Sequence, residues 1–504
     1  MKRLLLVLVL ISLLVIGCDS GGDTPTPTVT PTIMPPSTVL PTETLTSPSD
    51  TPSPSPSADS SPVPTLTGLP SPVPTPTEVN EPPPADTTED DPISSLILST
   101  GKEATIDANG NLYFSFRTAS AGVYKVQLWA SSDTDIYLYS DPGFSFVIAN
   151  KTTELSMEEH LFQSLDASTD YYIRLEEKSG HVTPLNISVG KVDCAMNEAP
   201  VFTHHLVDPE ALTVIVPPGL VTSGEIKPHS YVKLRRDDPG KGAIYAPASM
   251  ELFGGTYYWH DETTDIYSLS FRVSCEVELW IDHVVDPVDK IKVALPSTPA
   301  DTSQSVYVPD PIFFEVGEFI GYAQAHPWTL QFDFGLTNET RPNSLADPDR
   351  LGFKYLYSDC PYDYFEDTLR PVYYRKFGEN SGELVSGAEC RSADQDVPGT
   401  ISGAWFSETE VECPYGDQLF IGRNVAGTEF DVGGLCSGRN ITVSSPDGLP
   451  LRPHEITSEY GYSTDSFTLY FRLNSNTSLS VYYDESGSQG PASFPAFGYH
   501  DYVR

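Results

Sequence analysis

The sequence has few positive charges and lacks the local motifs of several large enzyme classes. Only 29 Lys and Arg side chains stand against 69 Asp and Glu in 504 residues, which gives a formal charge of −40. This charge repels phosphate backbones and no local basic patch offsets it, so nucleic acid is not expected as a partner. No Walker-type loop, GxSxG, HExxH or CxxC motif is present. Ala and Leu do not dominate, whereas Val, Ile, Thr, Tyr and Phe with frequent Gly and Pro breaks predict a mainly β protein.

The amino-terminal segment has the features of an export signal. Lys2 and Arg3 precede an apolar run, 4–16, that is too short to span a bilayer as a helix. The run ends in Val-Ile-Gly-Cys at 15–18, which resembles a bacterial lipoprotein signal over residues 1–18. The resemblance implies that Cys18 carries the lipid, palmitate included, and becomes the mature amino terminus. No later segment is apolar for long enough to cross a membrane, so we expect an exported protein anchored by lipid to the outer face of the cell membrane.

Residues 19–92 predict a disordered tether. They hold 20 of the 46 prolines and 11 acidic residues, with no Lys, Arg or aromatic residue. Such a segment cannot bury enough apolar surface to offset the entropy lost on ordering. The tether and the signal together carry a charge of −9, which leaves −31 on residues 93–504. The acidity is therefore mainly a property of the part that we expect to fold.

Residues 93–195 show short alternating strands separated by turn residues, which predicts a β-sandwich. The pattern over 113–139 and 170–189 resembles the bacterial pre-peptidase C-terminal domain, and the resemblance implies a jelly-roll-like accessory module. Three acidic residues in this region offer oxygen ligands of the kind that calcium prefers: Asp133, Asp135 and Asp141. The alternative is an ordinary solvated acidic loop.

Residues 205–345 contain a recognisable order of motifs. His229 is followed by Tyr-Ala-Pro at 245–247, by His283 on a later strand, and by Val-Gly…Ile-Gly at 316–321. This order resembles the lysostaphin-type zinc peptidoglycan endopeptidases, and the resemblance implies an antiparallel duplicated-hybrid-motif β domain. In that family a His-x-x-x-Asp pair and a later His-x-His pair surround the zinc.

The framework of this family is better kept than its zinc ligands. His229 matches the first ligand, but Lys233 stands where an Asp is expected, and its ammonium group would repel a metal. The His-x-His pair falls on Gln331 and Asp333, which leaves His229 and Asp333 as candidate metal ligands. Because residues i and i+2 of a strand share a face, Gln331 and Asp333 are predicted to point into one site.

His283 matches the auxiliary catalytic histidine of the same family. Strict strand alternation, however, places His283 with Val277, Leu279 and Ile281 on an apolar face. The two interpretations are therefore a catalytic histidine and a core histidine that is hydrogen-bonded to backbone.

Residues 346–504 form a further β-rich region. An aromatic and Asp-rich stretch that includes Tyr364 and Trp405 suggests either a sugar-binding surface or an ordinary β core. Apart from Cys18, six cysteines remain, and an even number in an exported chain suggests disulfides. Among the fifteen combinations, local spacing favours Cys360–Cys390 and Cys413–Cys436, which leaves Cys194–Cys275 as the third pair.

Together these features predict a surface-anchored lipoprotein that binds or scaffolds in the cell envelope without catalysis, with a cell-wall glycan or peptidoglycan as the suspected ligand. No cofactor is expected, although zinc and calcium remain open. The alternatives are a zinc-dependent peptidoglycan endopeptidase, with zinc at His229 and Asp333 assisted by His283, and a structural adhesin without a ligand pocket.

Overall fold

The computed structural model describes residues 94–152, 158–222, 224–235, 242–261, 264–303, 305–325, 330–407, 417–435, 440–445, 449–485, 493–496 and 499–504. The predicted signal, the predicted tether, Cys18, Cys413 and Cys436 lie outside these residues. The described chain is built from antiparallel sheets with a few short helices, which confirms the prediction of a mainly β protein. None of the described helices is long and apolar enough to cross a membrane.

The first nine strands form two facing sheets: β1 (Ser94–Ser95), β2 (Lys102–Ile106), β3 (Asn111–Arg117), β4 (Gly122–Ala130), β5 (Thr134–Tyr139), β6 (Val147–Lys151), β7 (Glu158–Leu165), β8 (Asp170–Glu177) and β9 (Thr183–Val192). One sheet has the order β1-β3-β8-β5-β6 and the other β2-β9-β4-β7. A single core lies between them, with Leu128 and Ile187 from one sheet and Ile136 and Ile173 from the other fully buried. The predicted β-sandwich is confirmed.

Strand β4 shows how the sequence produces this arrangement. Tyr124, Val126 and Leu128 point into the core, while Lys125, Gln127 and Trp129 alternate with them on the outer face. The outer face of this sheet therefore carries polar and aromatic side chains.

The next strands build a nine-stranded sheet: β10 (Leu212–Val216), β13 (His229–Leu234), β14 (Ala243–Tyr245), β15 (Met250–Trp259), β16 (Asp265–Arg272), β17 (Val277–Val285), β18 (Val306–Phe314), β19 (Phe319–Ala325) and β20 (Leu330–Asn338). Its order is β10-β13-β20-β19-β17-β16-β15-β18, with β14 paired to β19 and β17 also paired to β20. A separate two-stranded ladder joins β11 (Val221–Thr222) to β12 (Glu225–Ile226), and helix α1 (Asp289–Ala294) follows β17.

The segment after β20 contains short helices α2 (Pro348–Leu351), α3 (Phe353–Leu356) and α4 (Arg370–Tyr374) and a 3₁₀ turn at Pro361–Tyr364. Its aromatic residues pack into the core of the nine-stranded sheet; Tyr362, Phe365, Tyr373 and Phe377 are all buried there. These aromatic side chains therefore cover the face of β13 and β20 on which Val232, Phe332 and Phe334 are buried.

The carboxy-terminal strands form an eight-stranded sheet: β21 (Gly403–Ser407), β22 (Gln418–Arg423), β23 (Phe430–Gly433), β24 (Ile441–Val443), β25 (Glu459–Ser463), β26 (Thr468–Ser475), β27 (Ser478–Asp484) and β28 (His500–Val503). A second 3₁₀ turn occupies Pro453–Glu455. The indole of Trp405 is fully buried in the core of this sheet, and Tyr364 is also buried. Both side chains are therefore core residues, and neither has a face open to stack on a sugar.

Two disulfides are formed among the described residues, Cys194–Cys275 and Cys360–Cys390. The first is the pair that remains once local spacing is considered, and the second is a pair that local spacing favours; both predictions are confirmed. Disulfides persist in oxidising compartments, so they place this chain among exported proteins.

Candidate functional site

The residues that the sequence analysis selects as metal ligands lie on adjacent strands of the nine-stranded sheet. β13 and β20 pair so that Tyr231 faces Asp333 and His229 faces Gly335. Leu330, Phe332 and Phe334 point into the core, which leaves Gln331 and Asp333 on the opposite face with His229. The alternation predicted for β20 is therefore what the structure shows.

His283 reaches this same face because β17 contains a bulge. Leu269 pairs with Ile281 and Tyr267 with Val284, so β17 has one more residue than β16 over this stretch. His283 takes a left-handed backbone conformation, with φ of 64°. Strand alternation would have placed this imidazole in the apolar core; the extra residue turns it toward Asp333 instead. Left-handed conformations of side chains other than glycine are uncommon and occur often at functional sites.

The bulge is fixed by neighbouring side chains. Asp282 Oδ1 accepts hydrogen bonds from the backbone N–H of His283 at 2.7 Å and from the hydroxyl of Tyr258 at 2.9 Å. Burial, together with the charge of Asp282, raises the pKa of Tyr258, so that hydroxyl keeps its proton and remains a donor. At this bulge β17 also changes partner, from β20 at Asp282 to β19 at Val284.

We refer to His229, His283, Asp333 and Gln324 as the histidine–aspartate cluster. Asp333 Oδ2 lies 3.2 Å from His229 Nε2 and 3.6 Å from His283 Nε2. His283 Nδ1 lies 3.0 Å from Gln324 Oε1; because that oxygen only accepts, Nδ1 carries the proton. Within the described part of the chain, His229 Nε2 and Asp333 Oδ1 make no hydrogen bond. The two imidazoles therefore approach the same carboxylate oxygen, Oδ2 of Asp333.

The electrostatics of the cluster favour an ion pair. Burial lowers the pKa of His283, but the close approach and charge of Asp333, with the charge of Asp282, outweigh burial and raise the pKa of His283 to about 9. Burial raises the pKa of Asp333, but the two histidines beside it hold the pKa of this carboxyl well below its usual range. At neutral pH the site thus contains a carboxylate next to an imidazolium.

Aromatic side chains surround the cluster. The ring of His229 lies edge-on to Tyr231, with centroids 5.4 Å apart, and 6.4 Å from the ring of Trp280. The Trp280 ring covers Gly335, where any Cβ would collide with it, so only glycine fits at this position of β20. The Lys354 ammonium lies 4.7 Å from the Trp280 ring on the same side of the sheet. These neighbours leave His229, His283 and Asp333 less than one-fifth exposed.

Lys233 stands where the sequence resemblance leads us to expect an Asp ligand, and its partners are other than a metal ion. Its ammonium group is buried and donates to the carbonyl oxygen of Asn380 and, at 2.8 Å, to the side-chain oxygen of the same residue. Burial lowers the pKa of Lys233.

The donor set does not fit catalytic zinc, which needs three protein ligands and an open position for water. Lys233 supplies a cation instead of a ligand, and Asp333 is already neutralised by histidine. Among the described residues, no group of three or more His, Cys, Asp or Glu side chains is arranged to hold a metal ion.

The acidic residues considered for calcium have other partners. The Asp141 carboxylate accepts backbone N–H bonds from Gly143, Ser145 and Phe146, which closes its own loop. Asp135 accepts a hydrogen bond from the Tyr137 hydroxyl at 3.0 Å.

Sequence reasoning selected His229, Asp333 and His283, and the structure brings these three together. It missed Gln324 and Tyr258. A signal for the bulge was present in β17, where two polar residues, Asp282 and His283, are followed by two apolar ones and so break the in-out alternation.

No protein-family model and no curated protein matches the sequence. Among solved structures, the chain is similar to the pre-peptidase C-terminal domain of a collagenase from Bacillus anthracis, with 12% identity over 20% of this chain and 98% of that one, at a TM-score of 0.18. It is also similar to PliG, a periplasmic inhibitor of g-type lysozyme, from Aeromonas hydrophila, with 11% identity over 19% of this chain and 96% of that one, at a TM-score of 0.15. PliG from Salmonella Typhimurium gives 17% identity over the same shares, at a TM-score of 0.14. These similarities concern about a fifth of the chain and a β-rich fold.

Proposed function

We propose that this protein is a lipoprotein, anchored through Cys18 to the outer face of the cell membrane, that binds or scaffolds cell-envelope material without hydrolysing it. A cell-wall glycan or peptidoglycan is the proposed ligand. The nine-stranded sheet is, in this proposal, a peptidase-like scaffold that has lost its zinc chemistry.

The observation that carries the proposal is the pairing of Asp333 with His283. A zinc-bound water becomes a nucleophile near neutral pH because the metal lowers its pKa. In the histidine–aspartate cluster the positive charge beside Asp333 comes from a protonated imidazole instead. The buried Lys233 ammonium, hydrogen-bonded to Asn380, adds a positive charge to the same sheet face at the position where the resemblance would need a third metal ligand.

The remaining side chains do not supply another hydrolytic mechanism at this site. His283 has its Nδ1 proton bound by Gln324 and its Nε2 directed at Asp333, so neither nitrogen is available as a general base. A protonated histidine with a pKa of about 9 is also a poor proton acceptor at neutral pH. Binding without catalysis is the function that this arrangement supports best.

The test combines wall binding, metal content and lysis. Purified full-length chain is mixed with isolated cell walls and sedimented, while wall turbidity and bound zinc are measured. We expect the chain in the pellet, no fall in turbidity and far less than one zinc per chain.

Stoichiometric zinc together with turbidity loss that His229→Ala abolishes and His500→Ala preserves would establish the endopeptidase instead. A chain that remains in the supernatant would favour an adhesin or stalk without a wall ligand. Release of a Cys18→Ser variant from cell membranes tests the anchor separately.

A further inference from the structure

A cleft of about 420 Å³ lies between the β-sandwich and the nine-stranded sheet. We call it the Trp129 cleft. One wall is the outer face of the sheet β2-β9-β4-β7, which contributes Trp129; the other contains Arg272 at the end of β16 and Tyr307 on β18. Its volume lies within the range of about 300–1,000 Å³ that is usual for small-molecule sites. The histidine–aspartate cluster contributes no residue to the lining.

The wall on the β-sandwich is built around small residues. Ser188 and Gly190 on β9 lie opposite Gln127 and Lys125 on β4. Ser99 lies beside β9, because its backbone N–H donates to a carbonyl oxygen of that strand, and a Cβ at Gly190 would be 3.5 Å from the Ser99 hydroxyl oxygen. Short side chains at these positions leave a trough in the sheet face, with taller side chains beside it.

Two aromatic side chains line the cleft from opposite walls, and both are exposed to solvent. Trp129 is 53% exposed and Tyr307 is 68% exposed. Each offers a large apolar ring face with a polar atom at the edge of the ring. A sugar ring has the same two-sided character, because its C–H faces are apolar and its hydroxyl groups lie around the edge. The two exposed rings therefore suit a ligand made of sugar rings.

Uncharged polar groups lie beside the aromatic rings. Across the ladder from β4 to β9, Trp129 faces Asn186 and Gln127 faces Ser188. Gly101 leaves room for the amide, because a Cβ at that position would lie 2.8 Å from the Asn186 side-chain oxygen. An amide and a hydroxyl each supply both donors and acceptors, which is what the hydroxyl groups of a sugar require.

The basic residues of the cleft already have partners within the protein. Arg272 lies 3.3 Å from a carboxylate oxygen of Glu278 and 3.6 Å from one of Glu251. The Lys125 ammonium lies 5.7 Å from the centre of the Phe162 ring. Neither cation is therefore held ready for a charged ligand.

The remaining charges near the cleft are of both signs. Glu103 on β2 pairs with Asn186 across the ladder to β9, whereas Lys191 lies in the lining with its ammonium 3.0 Å from the Ser120 hydroxyl. A ligand that carries charge would have to give up water without gaining a strong counter-charge, which costs free energy. The electrostatics of the cleft thus favour an uncharged ligand.

The two walls of the cleft are covalently joined. The Cys194–Cys275 disulfide connects the segment just after β9 to the turn before β17, and the lining residues Val192 and Arg272 lie close to it in the sequence. A cleft held in this way loses little conformational entropy when a ligand binds.

From these observations we propose that the Trp129 cleft binds an uncharged polysaccharide chain. Trp129 and Tyr307 stack on the sugar rings, while Asn186 and Ser188 hydrogen-bond to ring substituents. This inference deepens the proposed envelope-binding function and rests on it only for the biological source of the polysaccharide. Rings that bear only hydroxyl groups and rings that bear an acetamido group share this chemistry, and the experiment distinguishes them.

The experiment measures binding to the full-length chain by titration calorimetry. The probes are a cello-oligosaccharide, which bears only hydroxyl groups, a chito-oligosaccharide, which adds an acetamido group to each ring, and oligogalacturonate, which adds a carboxylate to each ring. Each titration is repeated at about 0.05 M and about 0.5 M salt, because salt screens charge and leaves stacking largely unchanged.

The variants separate stacking from charge. Trp129→Ala removes the ring and Trp129→Tyr keeps an aromatic face; Trp259→Ala is the control, because Trp259 is also exposed but lies outside the lining. Lys191→Gln removes the charge that has no carboxylate partner among the contacts above. Because Trp129 is exposed, its substitution should leave the unfolding temperature close to that of wild type, and this is measured for each variant.

We expect at least one uncharged probe to bind, with an affinity that salt changes by less than about twofold. Oligogalacturonate should bind at least about tenfold more weakly. Trp129→Ala should weaken binding by about tenfold, whereas Trp129→Tyr, Trp259→Ala and Lys191→Gln should stay within a few-fold of wild type. Binding of the chito-oligosaccharide alone would identify the acetamido sugar as the ligand. The proposal is overturned if Trp129→Ala binds as wild type does, if oligogalacturonate is preferred, or if neither uncharged probe binds.

The sedimentation assay separates this proposal from the proposed function. Retention of the Trp129→Ala variant on cell walls at the wild-type level would leave the envelope function standing and remove the cleft as its site. Binding of an uncharged probe that depends on Trp129, in a chain that cell walls do not retain, would support the cleft and reject the envelope function.

Discussion

The ion pair between His283 and Asp333 predicts that stability falls as pH rises above neutral. The pKa of His283 is about 9 in the folded chain, against 6.5 for an unperturbed histidine. A raised pKa means that the folded state holds the proton more tightly, so the contribution is complete below about pH 6.5 and is lost as pH rises through about 9. At 1.36 kcal/mol for each pKa unit, the full contribution is about 3 kcal/mol.

The measurement is the free energy of unfolding from urea titrations between about pH 6 and about pH 10, for wild type and His283→Asn. Asn is chosen because it tolerates the left-handed backbone at this position. We expect wild type to lose about 3 kcal/mol more than the variant over this range. His500→Asn, at an exposed position, should follow the wild-type curve.

A second variant tests the partner. Asp333→Asn removes the charge that raises the pKa of His283, so its pH profile should resemble that of His283→Asn. If the free energy of unfolding depends on pH in the same way for wild type and both variants, the ion pair between His283 and Asp333 is refuted as the source of the pH dependence.

Three further predictions follow from buried contacts. Lys233→Ala removes the hydrogen bonds to Asn380 and should lower stability by about 1–3 kcal/mol, measured by urea unfolding. Cys360→Ser removes the disulfide to Cys390, which links residues 30 positions apart, and should lower the free energy of unfolding by about 3–4 kcal/mol. Under reducing conditions wild type and variant should not differ in this way. Trp405→Ala empties a core position and should cost about 3–5 kcal/mol in thermal unfolding, without changing retention on cell walls at temperatures where the fold persists.

Much of the fold and part of the site could be predicted because strands obey a period of two. The alternation in β20 placed Phe332 and Phe334 in the core and Asp333 on the site face, as the structure has them. The same rule failed for His283, because the bulge adds one residue to β17 and a strict period of two assumes that no residue is inserted. The polar pair Asp282-His283 followed by two valines breaks the alternation, but the bulge itself also depends on tertiary contacts such as that between Asp282 and Tyr258.

Exposure of aromatic residues was the other feature that the sequence could not settle. Trp405 and Trp129 both lie on strands among alternating residues, yet one is fully buried and the other is half exposed. The difference arises because Trp405 points into the core shared by the strands of the eight-stranded sheet, whereas Trp129 lies on the outer face of β4. Which face is covered depends on how whole sheets pack, and the sequence of one strand does not contain that information.

The residue at position 233 determines how the charge of the histidine–aspartate cluster is balanced. An Asp at position 233 beside a histidine pair and Asp333 would place two carboxylates on one sheet face, which a divalent cation would have to neutralise. With Lys there instead, one carboxylate remains, and a single protonated imidazole is enough to balance it. Lys233→Asp would therefore not create a metal site by itself, because Asp333 stays paired with His283 and the new carboxylate would face the Asn380 oxygens that now accept from the ammonium.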